Sequence, residues 1–125
     1  MKEGYVKLRK NLTDESWYLD TACVRVYIHL LCKANWKPST YKGKTIHAGQ
    51  IATSFGKLAE ETALTKSAAR SACERLESLN EIRIRPCGNY TIFTLIHWAE
   101  EQKTKTTKPK AKGKQPSYAN NGLDF

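Results

Sequence analysis

No run of apolar residues in this chain approaches the ~20 needed to cross a bilayer, and the polar start MKEGYVKLRK lacks the apolar stretch of a signal peptide. A cytoplasmic protein without membrane contact is therefore expected. Metal ligands are thinly spread as well: Cys23, Cys32, Cys73 and Cys87 form no CxxC pair, and His29, His47 and His97 do not cluster near them. Buried or incidental thiols are expected, with no metal and no cofactor. A nucleophile beside a base and paired carboxylates are also missing, so enzymatic activity is not expected.

What the chain has in excess is positive charge. Lys and Arg number 21 against 12 acidic residues, a formal charge of +9, which favours partners such as nucleic acid, an acidic protein face or an anionic membrane. The 125 residues leave room for one domain, because the last twenty or so do not look foldable. Residues 1–102 are expected to form it and 103–125 a tail.

Along that domain, residues 4–12 alternate Tyr5, Val6 and Leu8 with Lys7, Arg9 and Lys10, as a one-sided extended arm does. Thr13 is placed to cap a single turn through Ser16, Trp17 and Tyr18. Asp20 is placed to cap a helix over about 21–35, where Cys23, Val26, Tyr27, Leu30, Leu31 and Ala34 make one apolar face. Val24 and Ile28 lie off that stripe, which calls for a cover by the arm or by a second subunit. His29 reads as a packed or half-exposed side chain rather than a ligand.

Lys37 to Lys44, with Pro38 and Gly43, reads as a loop. Its GKT ending is no phosphate-binding loop, since that motif needs glycine five positions before Gly43, where Pro38 stands, and no strand leads in. A short strand through Ile46 to Ala52, bent at Gly49, follows, before Thr53 or Ser54 caps the next helix.

The most informative stretch is SFGKLAEETALTKSAARSACERLESL, Ser54 to Leu79. Apolar spacing gives a helix from Phe55 to Thr62, with Phe55, Leu58, Ala59 and Thr62 inward. A second runs from Lys66 to Leu79, with Ala69, Ala72, Cys73, Leu76 and Leu79 inward. Helices this short need each other, and the alanines allow a close crossing. Leu64 is placed to pin the corner and Thr65 to cap the second helix, so the segment fits a helix-turn-helix, with Ala63 where glycine is usual. A positive φ at Ala63 would cost ~1 kcal/mol.

Thr65, Lys66, Ser67, Arg70 and Ser71 project from the N-terminal half of the second helix, the part that meets base edges and phosphates in such motifs. Arg70 suits bidentate contact with guanine; Thr65, Lys66 and Ser67 suit phosphates. Carboxylates come only farther on, at Glu74 and Glu77. Next, Ile82 and Ile84 alternate with Arg83 and Arg85, Pro86 to Asn89 turn, and Tyr90 to Ile96 form the return strand of a β-hairpin. Helix, strand, two helices and hairpin make the winged-helix order, mainly α with a small sheet. In that architecture Arg83, Arg85, Asn89 and Tyr90 become candidate DNA contacts. A short helical stretch starts at His97, with Trp98 covering a core edge.

The tail is of another kind. Lys103, Lys105, Lys108, Lys110, Lys112 and Lys114 against Asp124 give it +5 of the +9, leaving +4 for residues 1–102. With nothing apolar larger than alanine from 103 to 114, it is expected to be a disordered basic segment that adds salt-sensitive affinity for DNA. Tyr118, Leu123 and Phe125 lie in a polar context suited to a docking peptide for a replication-protein partner.

GYVKLRKNL, SWYLDTACVRVYIHLLCKAN, TIHAGQIATSFGKLAEETALTKSAARSACERLESLNEI and YTIFTLIHW resemble, in order and apolar pattern, the N-terminal winged-helix domain of phage replication initiators and DnaD-like primosomal proteins. The resemblance covers residues 4–98. It implies DNA binding at a replication origin, self-association as a homodimer through the N-terminal arm and first helix, and recruitment of helicase-loading proteins in the host bacterial cytoplasm. No second helical domain follows Trp98, so recruitment would fall to SYANNGLDF. Double-stranded DNA is the expected partner. Two other readings use the same surface: a phage transcriptional regulator and a winged-helix protein-interaction module.

Overall fold

Asp20 starts the first helix as its position predicts, its carboxylate accepting from the N–H groups of Ala22 at 3.1 Å and Cys23 at 3.3 Å. These two bonds satisfy donors that a helix start leaves free, and α1 runs Thr21–Lys33. It ends two residues earlier than the spacing suggests, because Asn35 N–H bonds Gln50 O at 2.9 Å instead of continuing the helix. The computed structural model describes residues 5–103. Among them it is a mixed α/β fold with four α-helices and two small antiparallel sheets, and no helix is long and apolar enough to cross a membrane.

The segment after α1 departs from expectation. Residues 37–44 are not a loop: β1 (Ser39–Tyr41) pairs antiparallel with β2 (Lys44–Ile46) across the two-residue turn Lys42-Gly43. Both turn residues have positive φ, 50° and 80°, the handedness that joins twisted antiparallel strands most tightly. The β-branched and aromatic flanks Thr40, Tyr41, Thr45 and Ile46 supply the strand preference.

Gly49 then turns the chain at φ 83°, where a β-carbon would also meet Trp98 at 3.1 Å. It leads into β3 (Gln50–Thr53), shorter than the single strand expected from Ile46 onward. α2 (Phe55–Thr62) and α3 (Lys66–Ser78) follow, then β4 (Ile82–Pro86), β5 (Thr91–Leu95) and α4 (Trp98–Lys103). The second sheet has the order β3-β5-β4, with β5 central.

Register assigns its two faces. Ile84 stands opposite Phe93 and Ile82 opposite Leu95, and these join Ile51, Leu58, Leu76 and the inner face of α1 in the main core. The other face carries Arg83, Arg85, Ala52, Ile92 and Thr94, and there Ile92 packs with Ile46 and Tyr90 in a second, smaller cluster. The helices thus cover one face of the sheet, and the β1–β2 ribbon leans on the other.

Residues 5–9 of the arm form no helix or strand, and Arg9 is extended at φ −67° and ψ 142°. Lys10–Asp14 and Ser16–Leu19 are 3-10 turns; Thr13 lies inside the first and caps nothing, while the second starts after Glu15 without a side-chain cap. Two side chains hold the arm. Gln102, 2% exposed, accepts from Lys7 N–H at 2.8 Å and donates to Lys7 O at 2.9 Å. Arg9 pairs with Glu101 at 2.6 Å, Glu81 at 3.1 Å and Glu15 at 3.1 Å, and Trp17 Nε1 also donates to Glu81. Surrounded by carboxylates, the guanidinium has its pKa raised despite partial burial that works the other way. This network joins the arm, α4 and the α3–β4 corner through groups far apart in sequence.

Because the arm is tied there, it does not cover the outer face of α1. Ile28 is 38% exposed and Val24 half-buried, beside a groove of about 450 Å³ whose lining includes Arg25, His29 and Glu61. Leu79 is a further departure: α3 stops at Ser78, and Leu79 turns out to 40% exposure.

Candidate functional site

Two short helices and their turn form the centre of the site, and each starts at a hydroxyl cap that the sequence suggests. Ser54 Oγ accepts from Lys57 N–H at 3.1 Å at the start of α2, and Thr65 Oγ1 accepts from Ala68 N–H at 3.0 Å at the start of α3. Ala59, Ala69 and Ala72 are buried, so the helix backbones come close; Leu64 is half-buried against the core. Ala63 adopts φ 59° and ψ 37°, the left-handed conformation that glycine would take without strain. Its N–H and that of Leu64 close the end of α2 on Ala59 O. Arg25, from α1, adds a bond from Nη1 to Thr62 O at 3.1 Å, filling another carbonyl at that helix end.

On the outer side of α3, Thr65, Lys66, Ser67, Arg70 and Ser71 are all exposed. Lys66 and Arg70 line a cleft of about 260 Å³ together with Ser54, Phe55 and Gly56 from α2 and Gly88, Asn89, Tyr90 and Thr91 from the β4–β5 hairpin. The fold therefore brings together three segments separated by up to 37 residues: the start of α2, the first half of α3 and the hairpin tip. Ser54, Phe55, Gly56 and Thr91 are not marked as site residues by the sequence, since nothing in their local pattern makes them neighbours of Arg70.

Arg70 is more constrained than its position in the sequence suggests. Its guanidinium lies 5.1 Å over the Phe55 ring, and Nε reaches Glu74 at 3.2 Å. The carboxylate of Glu74 therefore belongs to this half of the helix. Both members of the pair are 59% exposed, so opening it for a ligand costs little, about 0.3–0.5 kcal/mol.

The hairpin residues do not form one surface. Asn89 is exposed at the tip and lines the cleft. Tyr90 is only 8% exposed, its ring edge-on to Tyr41 at 5.1 Å in the smaller cluster, so its main role is to seat the tip. Arg83 and Arg85 are exposed, but on the sheet face away from the helices. They do not converge with Lys66 and Arg70, because strand alternation that buries Ile82 and Ile84 must turn the arginines outward. The side chain of Lys103 and the residues Lys105, Lys108, Lys110, Lys112, Lys114, Tyr118, Leu123 and Phe125 lie outside the described residues.

Of the four thiols, two are packed in the interior. Burial pushes the Cys23 and Cys73 thiols up to about 12, whereas Cys32 is exposed and Cys87 half-buried. His29 Nε2 meets Glu61 Oε1 at 2.9 Å, a bond between α1 and α2 that holds the Glu61 carboxyl below the usual range. Among the described residues no group of three His, Cys, Asp or Glu is placed to hold a metal ion. No protein-family model, curated protein sequence or solved structure matches this chain.

Proposed function

We propose that the chain is a winged-helix protein that binds double-stranded DNA, with α3 as the recognition helix and the β4–β5 hairpin as the wing. The observation that carries this reading is the cleft where Lys66, Arg70 and Asn89 converge, with exposed Ser67 and Ser71 alongside on α3. Cations and small hydroxyls at the start of one helix, next to a hairpin tip, are the parts that enter a major groove and hold its flanking phosphates. Arg70, whose guanidinium rests on the Phe55 ring, is a side chain suited to paired hydrogen bonds with guanine once it leaves Glu74.

The resemblance to phage replication initiators and DnaD-like proteins supports a role in starting DNA replication, by binding an origin and organising the replication machinery. Self-association through the arm and α1 belongs to the same proposal, and the groove beside Ile28 offers surface for it. A transcriptional regulator would use the same DNA-contacting residues.

The test begins by selecting duplexes from a random pool with the wild-type protein. The Lys66→Ala, Arg70→Ala double variant is then titrated against them by fluorescence anisotropy. Losing one bidentate base contact and one phosphate contact weakens binding by roughly tenfold or more. Unchanged affinity refutes DNA recognition by α3. A pull-down then separates the two biological roles, because a replication initiator retains a helicase or its loader and a regulator does not.

A further inference from the structure

The distribution of carboxylates is uneven in a way that only the fold makes meaningful. Between Asp20 and Glu60 the chain has no acidic residue, and between Glu81 and Glu100 it again has none. Those two intervals contain all five strands. The sheet half of the molecule thus carries Lys42, Lys44, Arg83 and Arg85 without a carboxylate of its own. Glu77, from α3, reaches β4 but accepts from Ile84 N–H at 2.9 Å.

The β1–β2 hairpin puts two of these cations at a defined place. Its β1 strand is exposed throughout, and Lys42 and Lys44 are exposed at the tip. Asn35 pins its root, donating to Ser39 Oγ at 2.8 Å and Ile46 O at 3.1 Å. Its tip is fixed against the wing, since Tyr41 meets Tyr90 at 5.1 Å and Lys42 Nζ lies 5.6 Å from the Tyr41 ring centroid. Tyr90 lines the α3 cleft on one side and touches this hairpin on the other. The two hairpin tips are therefore neighbours, and Arg85 stands on the sheet face against which the first hairpin leans. Lys42 also occupies a left-handed backbone position, φ 50°, where asparagine or glycine would fit with less strain.

We propose that the β1–β2 hairpin is a second wing, with Lys42 and Lys44 at its tip and Arg85 beside it holding the phosphate backbone of the duplex that flanks the stretch entered by α3. The proposal rests on the DNA-binding reading above. A duplex strand presents one negative charge about every 3.4 Å, so a pre-formed, acid-free ridge of cations next to the first wing matches its backbone. A pinned ribbon loses little freedom on binding, which favours this use over a search by loose side chains alone.

The test uses the full chain. Lys42→Asn with Lys44→Gln removes both charges, keeps a residue suited to the left-handed turn, and leaves buried groups alone. Affinity for a selected duplex with flanking base pairs on both sides is measured against salt concentration. Two lost phosphate contacts reduce the salt slope by about 1.8, and counter-ion release makes this about 30-fold in affinity at 0.15 M salt. Trimming the flanks reproduces the loss in the wild type, and Lys42→Arg with Lys44→Arg keeps the wild-type slope. A hairpin variant with wild-type slope and affinity overturns the second wing, and if the α3 variant is still weakened, recognition by α3 stands. Wild-type binding by both variants sinks the two proposals together. A loss confined to single-stranded DNA also overturns the proposal, in favour of a single-strand site.

Discussion

Replacing Ala63 by glycine should make this protein more stable, although glycine inside a helix weakens it. Ala63 sits at φ 59° and ψ 37°, and the left-handed region costs a residue with a β-carbon about 1–2 kcal/mol. Glycine gives back part of this, because its unfolded chain is freer by about 0.4–1 kcal/mol. No packing loss enters, since Ala63 is exposed, and the backbone bonds to Ala59 O that close α2 do not involve the methyl group. The net gain is about 0.5–1 kcal/mol, or about 2–8 °C in Tm for a domain of this size. Urea unfolding followed by far-UV circular dichroism measures it as a rise in midpoint at constant slope. The same substitution within α3, Ala68→Gly, should lower stability by about 1 kcal/mol, giving the opposite sign five residues away. A lower midpoint for Ala63→Gly would refute the left-handed turn and, with it, the crossing of α2 and α3 described above.

Arg9→Met should destabilise by about 3 kcal/mol or more, because it leaves Glu81 and Glu101, with side chains 7% and 12% exposed, as unpaired charges in the interior. Thermal unfolding checks this, and stability equal to wild type would show that the carboxylates find other partners. Native thiol titration with a disulfide reagent at pH 8 should modify Cys32 fast, Cys87 more slowly, and Cys23 and Cys73 only on unfolding. Burial raises the last two to about 12, so the reactive thiolate is scarce at that pH and the sulfurs are inaccessible. Rapid reaction of all four would contradict the packing of α1 on α3.

Much of the site was readable from local pattern. The Phe55–Thr62 helix, a hydroxyl cap before it and the cap at Thr65 follow from spacings within a few residues, where helix geometry and capping chemistry act, whereas the left-handed turn at Ala63 is set by the packing of the two helices it joins. The Lys42-Gly43 hairpin is hidden in the sequence because Pro38 and Gly43 read as loop markers, although Thr, Tyr and Ile around a two-residue turn carry the strand signal. The end of α1 and the exposure of Leu79 differ from the helical spacing for another reason. Each is set by where the chain must go next, to Gln50 and to β4, rather than by the periodicity of the helix itself.

The division has a physical basis. Helix positions, their inward faces and the surplus of cations on the outer half of α3 were determined by the order of residues alone, since these depend on interactions no farther than four positions apart. Tertiary structure decided what those residues meet. It placed the β4–β5 tip beside Lys66 and Arg70, turned Arg83 and Arg85 to the opposite face, and tied Arg9 to carboxylates up to 92 residues away. It also stood a second hairpin against the first. Contacts of that kind depend on burying one apolar face of each element in a common core, and no local spacing encodes which charged edges such packing leaves side by side.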